Sequence, residues 1–253
     1  MLTLIKSLVS GVAGGFISGL TGMGGGSLFV PIFFFFFDLP IKKAIATSLM
    51  VIVFSSLSGL VTHWRSRQVE GTLSLSIITG GIFGARLGAF FTAVLPDIVV
   101  KSFFITLVVI TGLKMWQGSN RKENLAEDEK QSCPPVSIGK GVIVGLAGGI
   151  ASGMGGVGGA IIIVPLLYLW VGIPMRICVG TVLTAVFFNA FSGCLGYWAE
   201  RLIEVRTGFP VAMAALVAAP FGARLSMRLN PVRLRRIFAV VLIIGGLATF
   251  LKR

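Results

Sequence analysis

The chain has 253 residues, 55% of them hydrophobic and 12% charged, with a mean hydropathy of +0.95. A soluble domain carries about a quarter charged residues, so this composition excludes one and calls for the bilayer as solvent. The net charge of +13 lies mostly between apolar runs, where it meets lipid phosphates, and no solvent-facing basic domain exists to bind nucleic acid.

In chain order the apolar stretches fall near 4–37, 40–62, 72–94 and 98–116, then 139–172, 174–198, 207–227 and 232–251. They are continuous runs rather than alternating segments of about ten residues, which predicts helices and not a barrel. Each of the later stretches in either half can cross a hydrocarbon core of about 30 Å. The first stretch of each half is too long for one helix. It is cut by a glycine cluster: Gly22, Gly24, Gly25 and Gly26 in the first, and Gly153, Gly155, Gly156, Gly158 and Gly159 in the second. Between the halves, residues 118–138 form the one long polar stretch, with four of the nine acidic residues and a Pro-Pro break, and read as an aqueous linker.

The halves repeat each other. Residues 11–70 align with 145–204 without a gap, and about a third of the positions are identical, including Gly, Pro, Trp, Arg and Glu. After a short insertion the match resumes, Gly84-Ala85-Arg86-Leu87 answering Gly222-Ala223-Arg224-Leu225. The recurrence also argues against a signal peptide at the start, because residues 1–20 reappear in mid-chain. The predicted fold is all-α: a polytopic membrane protein of about eight transmembrane helices in two homologous repeats, 1–117 and 139–253. If the broken stretch crosses the membrane once, the repeats are parallel. If it enters and returns, they are inverted. The positive-inside tally does not separate the two, and the inverted arrangement is preferred because discontinuous helices paired across an inverted repeat are a common transporter design.

Chemistry concentrates at the glycine clusters. Glycine lets a ligand approach backbone N–H groups, and helix N-termini beside such a turn favour an anion. The competing reading is close helix packing by small residues. Candidate site residues are therefore Gly22, Gly24, Gly25, Gly26, Gly156, Gly158 and Gly159, with Ser18 and Ser152 just before the clusters in equivalent positions. Thr47 and Thr181 match early in the second helices, and Ser55 and Asn189 match near their middles; Asn189 suits a cavity lining or an interhelical bond. Arg86, inside an apolar segment, offers a planar fork for two oxygens of an oxyanion, while Arg224 is better read as snorkelling near a helix end. Trp64 and Trp198 read as interfacial anchors, the single His63 as a surface residue, Arg67–Glu70 and Arg201–Glu204 as helical ion pairs, and Phe33–Phe37 as lipid-facing.

Several classes are unsupported. There is no GxxxxGK[ST], HExxH or GxSxG motif and no pairing of catalytic residues, so an ATP motor or an enzyme is not expected. The three cysteines, Cys133, Cys178 and Cys194, form no CxxC pair, and neither a metal nor another cofactor is expected. No Asp or Glu lies deep in an apolar run, which tilts the ligand toward anions.

The pattern GxxxGxxSGLxGxGGG followed by an apolar run and Pro, the later GARLG, and a degenerate second copy of the set resemble the TauE/SafE family of sulfite and organosulfonate exporters. The resemblance spans about residues 8–250 and implies a bacterial inner-membrane permease of about eight helices whose members handle sulfur-containing anions. It carries over the glycine clusters as the family's signature element. The second cluster, with Met154 and Val157, is less uniform than the first, which puts equal contribution by the two halves in question. The expected function is a secondary carrier exporting a small anion, sulfite or an organosulfonate, from a site between the halves. An anion channel and a structural subunit are the rivals. Whether the chain works as a homo-oligomer is left open by the sequence.

Overall fold

The structure, a computed structural model, describes residues 2–21, 24–65, 71–118, 137–171 and 175–229, together with Ile237 and Val240. The expected linker and the last apolar stretch, 232–251, fall outside the described residues but for its end near 118, Ser137 and Ile138, and the two single residues.

Among the described residues nine helices follow one another: α1 (Leu2–Thr21), α2 (Gly26–Phe36), α3 (Ile41–Arg65), α4 (Gly71–Val94), α5 (Asp97–Gly118), α6 (Ile138–Gly155), α7 (Ala160–Leu166, continued by a wider π turn over Leu167–Val171), α8 (Met175–Ala199) and α9 (Val205–Arg228). Among the described residues, six helices are long and apolar enough to span a membrane: α1, α3, α4, α6, α8 and α9. Their outer faces carry Phe83, Leu87, Phe90, Val217 and Phe221 exposed, as lipid-facing surfaces require.

Each glycine cluster is a hairpin bend. α2 folds back along α1, since a side chain on Gly14 would strike the ring of Phe29, fifteen residues on. A straight helix would hold those two positions about 22 Å apart. α7 folds back along α6 in the same way, with Gly148 against Ile163, and both pairs are 134 residues from their counterparts. Gly25 (φ +81°) and Gly159 (φ +84°) stand at the start of α2 and α7 in the left-handed region, where other residues are strained.

The helices gather into two triads. In one, α1 packs on α9 and α9 on α3; in the other, α6 packs on α4 and α4 on α8; α3 and α8 join the triads. Each hairpin thus leans on a helix from the other half of the chain. Backbones approach closely through stripes of small residues spaced by four. Gly11, Gly15 and Gly19 lie on Val211, Ala215 and Ala219, and Gly145, Gly149 and Gly153 lie on Ile77, Gly81 and Ala85. In both stripes the paired helices run in the same direction. α4 and α8 also run in the same direction, with Ala85 beside Gly193 and Ala89 beside Gly196. α3 and α8 run oppositely, since Leu49 near the start of α3 lies beside Gly193 near the end of α8. The two triads are therefore antiparallel, and the hairpins enter from opposite ends of the bundle.

Several sequence expectations need correction. The insertion invoked to align the two GARL motifs is absent: α4 and α9 begin at 71 and 205 and end at 94 and 228, 134 apart at both ends. Gly222 meets Phe16 and Leu20, and the position meeting their counterparts Ile150 and Met154 is Gly88, not Gly84. The second motif recurs one turn later on its helix. Four residues are close to a full turn, so the shift keeps the small residues on the packed face while separating the arginines by a turn. Phe33 is fully buried although Phe36 is exposed, because the hairpin turns one face of α2 inward. Helical pairing of Arg201 with Glu204 fails because α8 ends at Ala199 and Arg201 takes φ +53°. Arg67, Glu70 and the side chains of His63 and Trp64 lie outside the described residues, whereas Trp198 is exposed at a helix end, as an interfacial anchor would be.

Candidate functional site

The two hairpin tips meet at the centre of the bundle. A side chain on Gly24 would lie between Ile52 and Val186, the middle residues of α3 and α8, at 2.8 and 2.7 Å. One on Gly26 would strike the backbone of Gly156 and Val157 in the other tip. Ser48 of α3 ties the tips to the scaffold by donating to the Gly156 carbonyl at 2.7 Å. Gly24, Gly156 and Gly158 join Gly25 and Gly159 in the left-handed region, so α2 and α7 start from glycine bends and not from a side-chain cap. Gly22 lies outside the described residues.

Around the first tip the polar groups satisfy one another. Ser18 donates to Ser55 at 3.3 Å, and Ser55 is placed to donate to the Gly24 carbonyl at 3.2 Å. Around the second tip the counterparts do not. Ser152 and Asn189 are fully buried, and among the described residues neither the Ser152 hydroxyl nor the nitrogen or oxygen of the Asn189 amide has a hydrogen-bond partner. The amide is wedged between α4 and the tip: any side chain on Gly81 would overlap it, and one on Gly159 would stand 3.3 Å from its nitrogen. Ser74 of α4 is a second buried hydroxyl without a partner among the described residues. All three residues belong to the α4–α6–α8 triad.

The remaining candidates are dispersed. Thr47 is buried, but its hydroxyl accepts the backbone N–H of Glu204 at 3.0 Å and so fastens the start of α9 to α3. Thr181 is buried at the corresponding level of α8. Arg86 and Arg224 are exposed on the outer faces of α4 and α9, so the structure does not bring Arg86 to the glycine tips. Sequence reasoning missed Ser48, Ser74 and Gly81. Gly81 stands in a plain Gly-Gly pair, and nothing local marks it as the seat of an amide from a helix a hundred residues away. A groove of about 490 Å³ between α1 and α9, lined by Val12, Phe16, Val217 and Phe221, is wholly apolar and offers an ion no polar partner.

Apolar spanning helices around a buried core of hydroxyls and glycine bends make this a multi-pass membrane protein. The family described as "Sulfite exporter TauE/SafE" matches residues 7–249, and the chain belongs to that family. It is 26% identical to the "Probable membrane transporter protein YdhB" of Bacillus subtilis, over 98% of both chains. A "Probable membrane transporter protein" of Methanocaldococcus jannaschii is 22% identical over 98% of this chain and 95% of its own. YunE of Bacillus subtilis, with the same description, is 45% identical over 30% of this chain and 28% of its own. No solved structure matches the chain. The family is one of membrane transporters and not of enzymes.

Proposed function

We propose that the protein is a secondary transporter that exports a small anion, sulfite or an organosulfonate, by alternating access at a site between its two halves. The observation that carries this reading is the pair of helical hairpins that enter from opposite ends and meet, tip to tip, level with the middles of α3 and α8. In a bilayer this corresponds to two inverted repeats whose first stretches, α1–α2 and α6–α7, are re-entrant hairpins reaching the midplane rather than single crossings. Glycine bends at the midplane present backbone N–H groups where an anion can reach them, as discontinuous helices do in other carriers. The candidate site comprises the glycine tips with Ser18, Ser152, Thr181 and Asn189; Arg86, being exposed, is left out. Contact between the tips favours a carrier over a channel, since no continuous path passes between Gly26 and Gly156. The name of the family supports a sulfur oxyanion, and membrane potential, negative inside, would drive an anion outward. The compartment proposed is the cytoplasmic membrane of a bacterium.

The test is counterflow of labelled sulfite in proteoliposomes, with taurine, sulfoacetate and acetate as competitors and Gly25→Leu as control. Saturable exchange that the mutant loses supports the carrier. Currents without counterflow would identify a channel, and exchange of no anion by a folded protein would remove the transport reading.

A further inference from the structure

We infer that the transported ion is bound at the second tip, as a monoanion held by uncharged donors, with Asn189 and Ser152 as the side chains that bind it. This rests on the transporter reading above and specifies which half binds and which charge state is accepted.

The first argument is the placement of unsatisfied polarity. A buried amide or hydroxyl without a partner costs about 1–3 kcal/mol, and most such groups in proteins are satisfied. The first half shows that this architecture can avoid the cost, because Ser18, Ser55 and the Gly24 carbonyl form a closed set. At the same positions the second half carries Ser152 and Asn189, both fully buried and unpartnered. Asn189 is moreover held in position: it needs a glycine at 81 to fit at all, and its amide nitrogen faces Gly159 of the tip. An amide clamped in this way has an NH2 group without an acceptor, and that donor can bind an oxygen of an anion.

The second argument is the absence of charge. Among the described residues, the buried polar side chains, apart from the phenol of Tyr197, are all serine, threonine or asparagine. The two arginines nearest in sequence to the packed glycines, Arg86 and Arg224, are exposed. Transferring an ion from water to an apolar interior without a countercharge costs an energy that rises with the square of its charge. A dianion therefore pays four times what a monoanion pays, and two or three neutral donors do not offset the difference. The site accordingly accepts bisulfite or an organosulfonate and rejects sulfate and the sulfite dianion.

The experiment is counterflow of labelled sulfite in proteoliposomes at a series of pH values around neutrality, with methanesulfonate (a monoanion throughout) and sulfate (a dianion throughout) as competitors. Methanesulfonate should compete at every pH and sulfate at none, and the half-saturating total sulfite should rise with pH in step with the loss of bisulfite. Equal competition by sulfate, or half-saturation independent of pH, would overturn the charge assignment. Asn189→Leu should abolish exchange without lowering the melting temperature. Asn189→Ser, able to donate to the Gly158 carbonyl as Ser55 does to Gly24, should abolish it while raising that temperature. Ser55→Ala should keep exchange. Normal exchange by either Asn189 variant, or its loss in Ser55→Ala alone, would overturn the assignment to the second tip. Wild-type protein that exchanges no anion would overturn the transport reading itself, a result distinct from all of these.

Discussion

The two hairpin tips share a backbone and differ in chemistry. Both place glycines in the left-handed region, Gly24 and Gly25 answering Gly158 and Gly159 at a shift of 134 residues, and both fold a short helix back on a longer one. Around the first, the serine at position 55 closes a hydrogen-bonded set; around the second, an asparagine at 189 opens one. The difference teaches that two matching bends can satisfy their buried polar groups at one tip and leave them unsatisfied at the other. One substituted side chain per copy is sufficient, provided a glycine, here Gly81, makes room for the larger group.

That comparison presupposes hairpins entering from opposite membrane faces, and the most drastic way to break it is by topology. Lys6 and Lys140, both exposed and 134 apart, stand near the starts of α1 and α6. With Cys133, Cys178 and Cys194 replaced, Lys6→Cys and Lys140→Cys should be labelled by an impermeant thiol reagent from opposite sides of the membrane. Labelling from one side would restore parallel repeats.

Next in size is the rigidity of the tips. Alanine at Gly25 or Gly159 costs about 1–2 kcal/mol for the left-handed backbone alone. At Gly159 the methyl also meets the rigid carbonyl of Gly148, whereas at Gly25 it meets the ring of Phe29, which can turn. Gly159→Ala should therefore melt lower than Gly25→Ala, by about a further 1–3 kcal/mol in stability. Equal melting of the two purified variants would mean that the tips do not differ in packing.

The polar sets sharpen the comparison further. Ser55→Ala strands the hydroxyl of Ser18 and should lose about 0.5–1.5 kcal/mol by thermal melting. Asn189→Ser should move stability in the opposite direction by a similar amount, and changes of the same sign would dissolve the asymmetry. The smallest expected effect belongs to Arg86→Gln. From an exposed face the change should alter transport and stability by no more than about twofold, or 0.5 kcal/mol. A large loss of transport would return Arg86 to the site.

Much of this molecule was legible without coordinates. Continuous apolar runs with few charges admit only membrane helices, because backbone groups in lipid must be paired within a segment. The glycine clusters read as breaks in the first stretches, and Gly25 and Gly159 do stand in the left-handed region that few other residues accept. The recurrence of those clusters at a constant spacing is what pointed to two repeats. What the chain could not reveal is direction and company. Whether α2 continues α1 or doubles back depends on contacts such as Phe29 on Gly14, which no local pattern encodes. The register of α9 misled for a related reason: a shift of one helical turn keeps the same face inward, so two GARL motifs can align in sequence and sit a turn apart in space. Arginine at 86 looked like a ligand because sequence reports only depth along a helix, whereas tertiary packing decides which side of that helix meets the interior. The same packing left Asn189 buried without a partner while giving Ser55 one. Hydrogen bonding depends on separations of a few tenths of an ångström between helices far apart in the chain, and only the folded arrangement sets them.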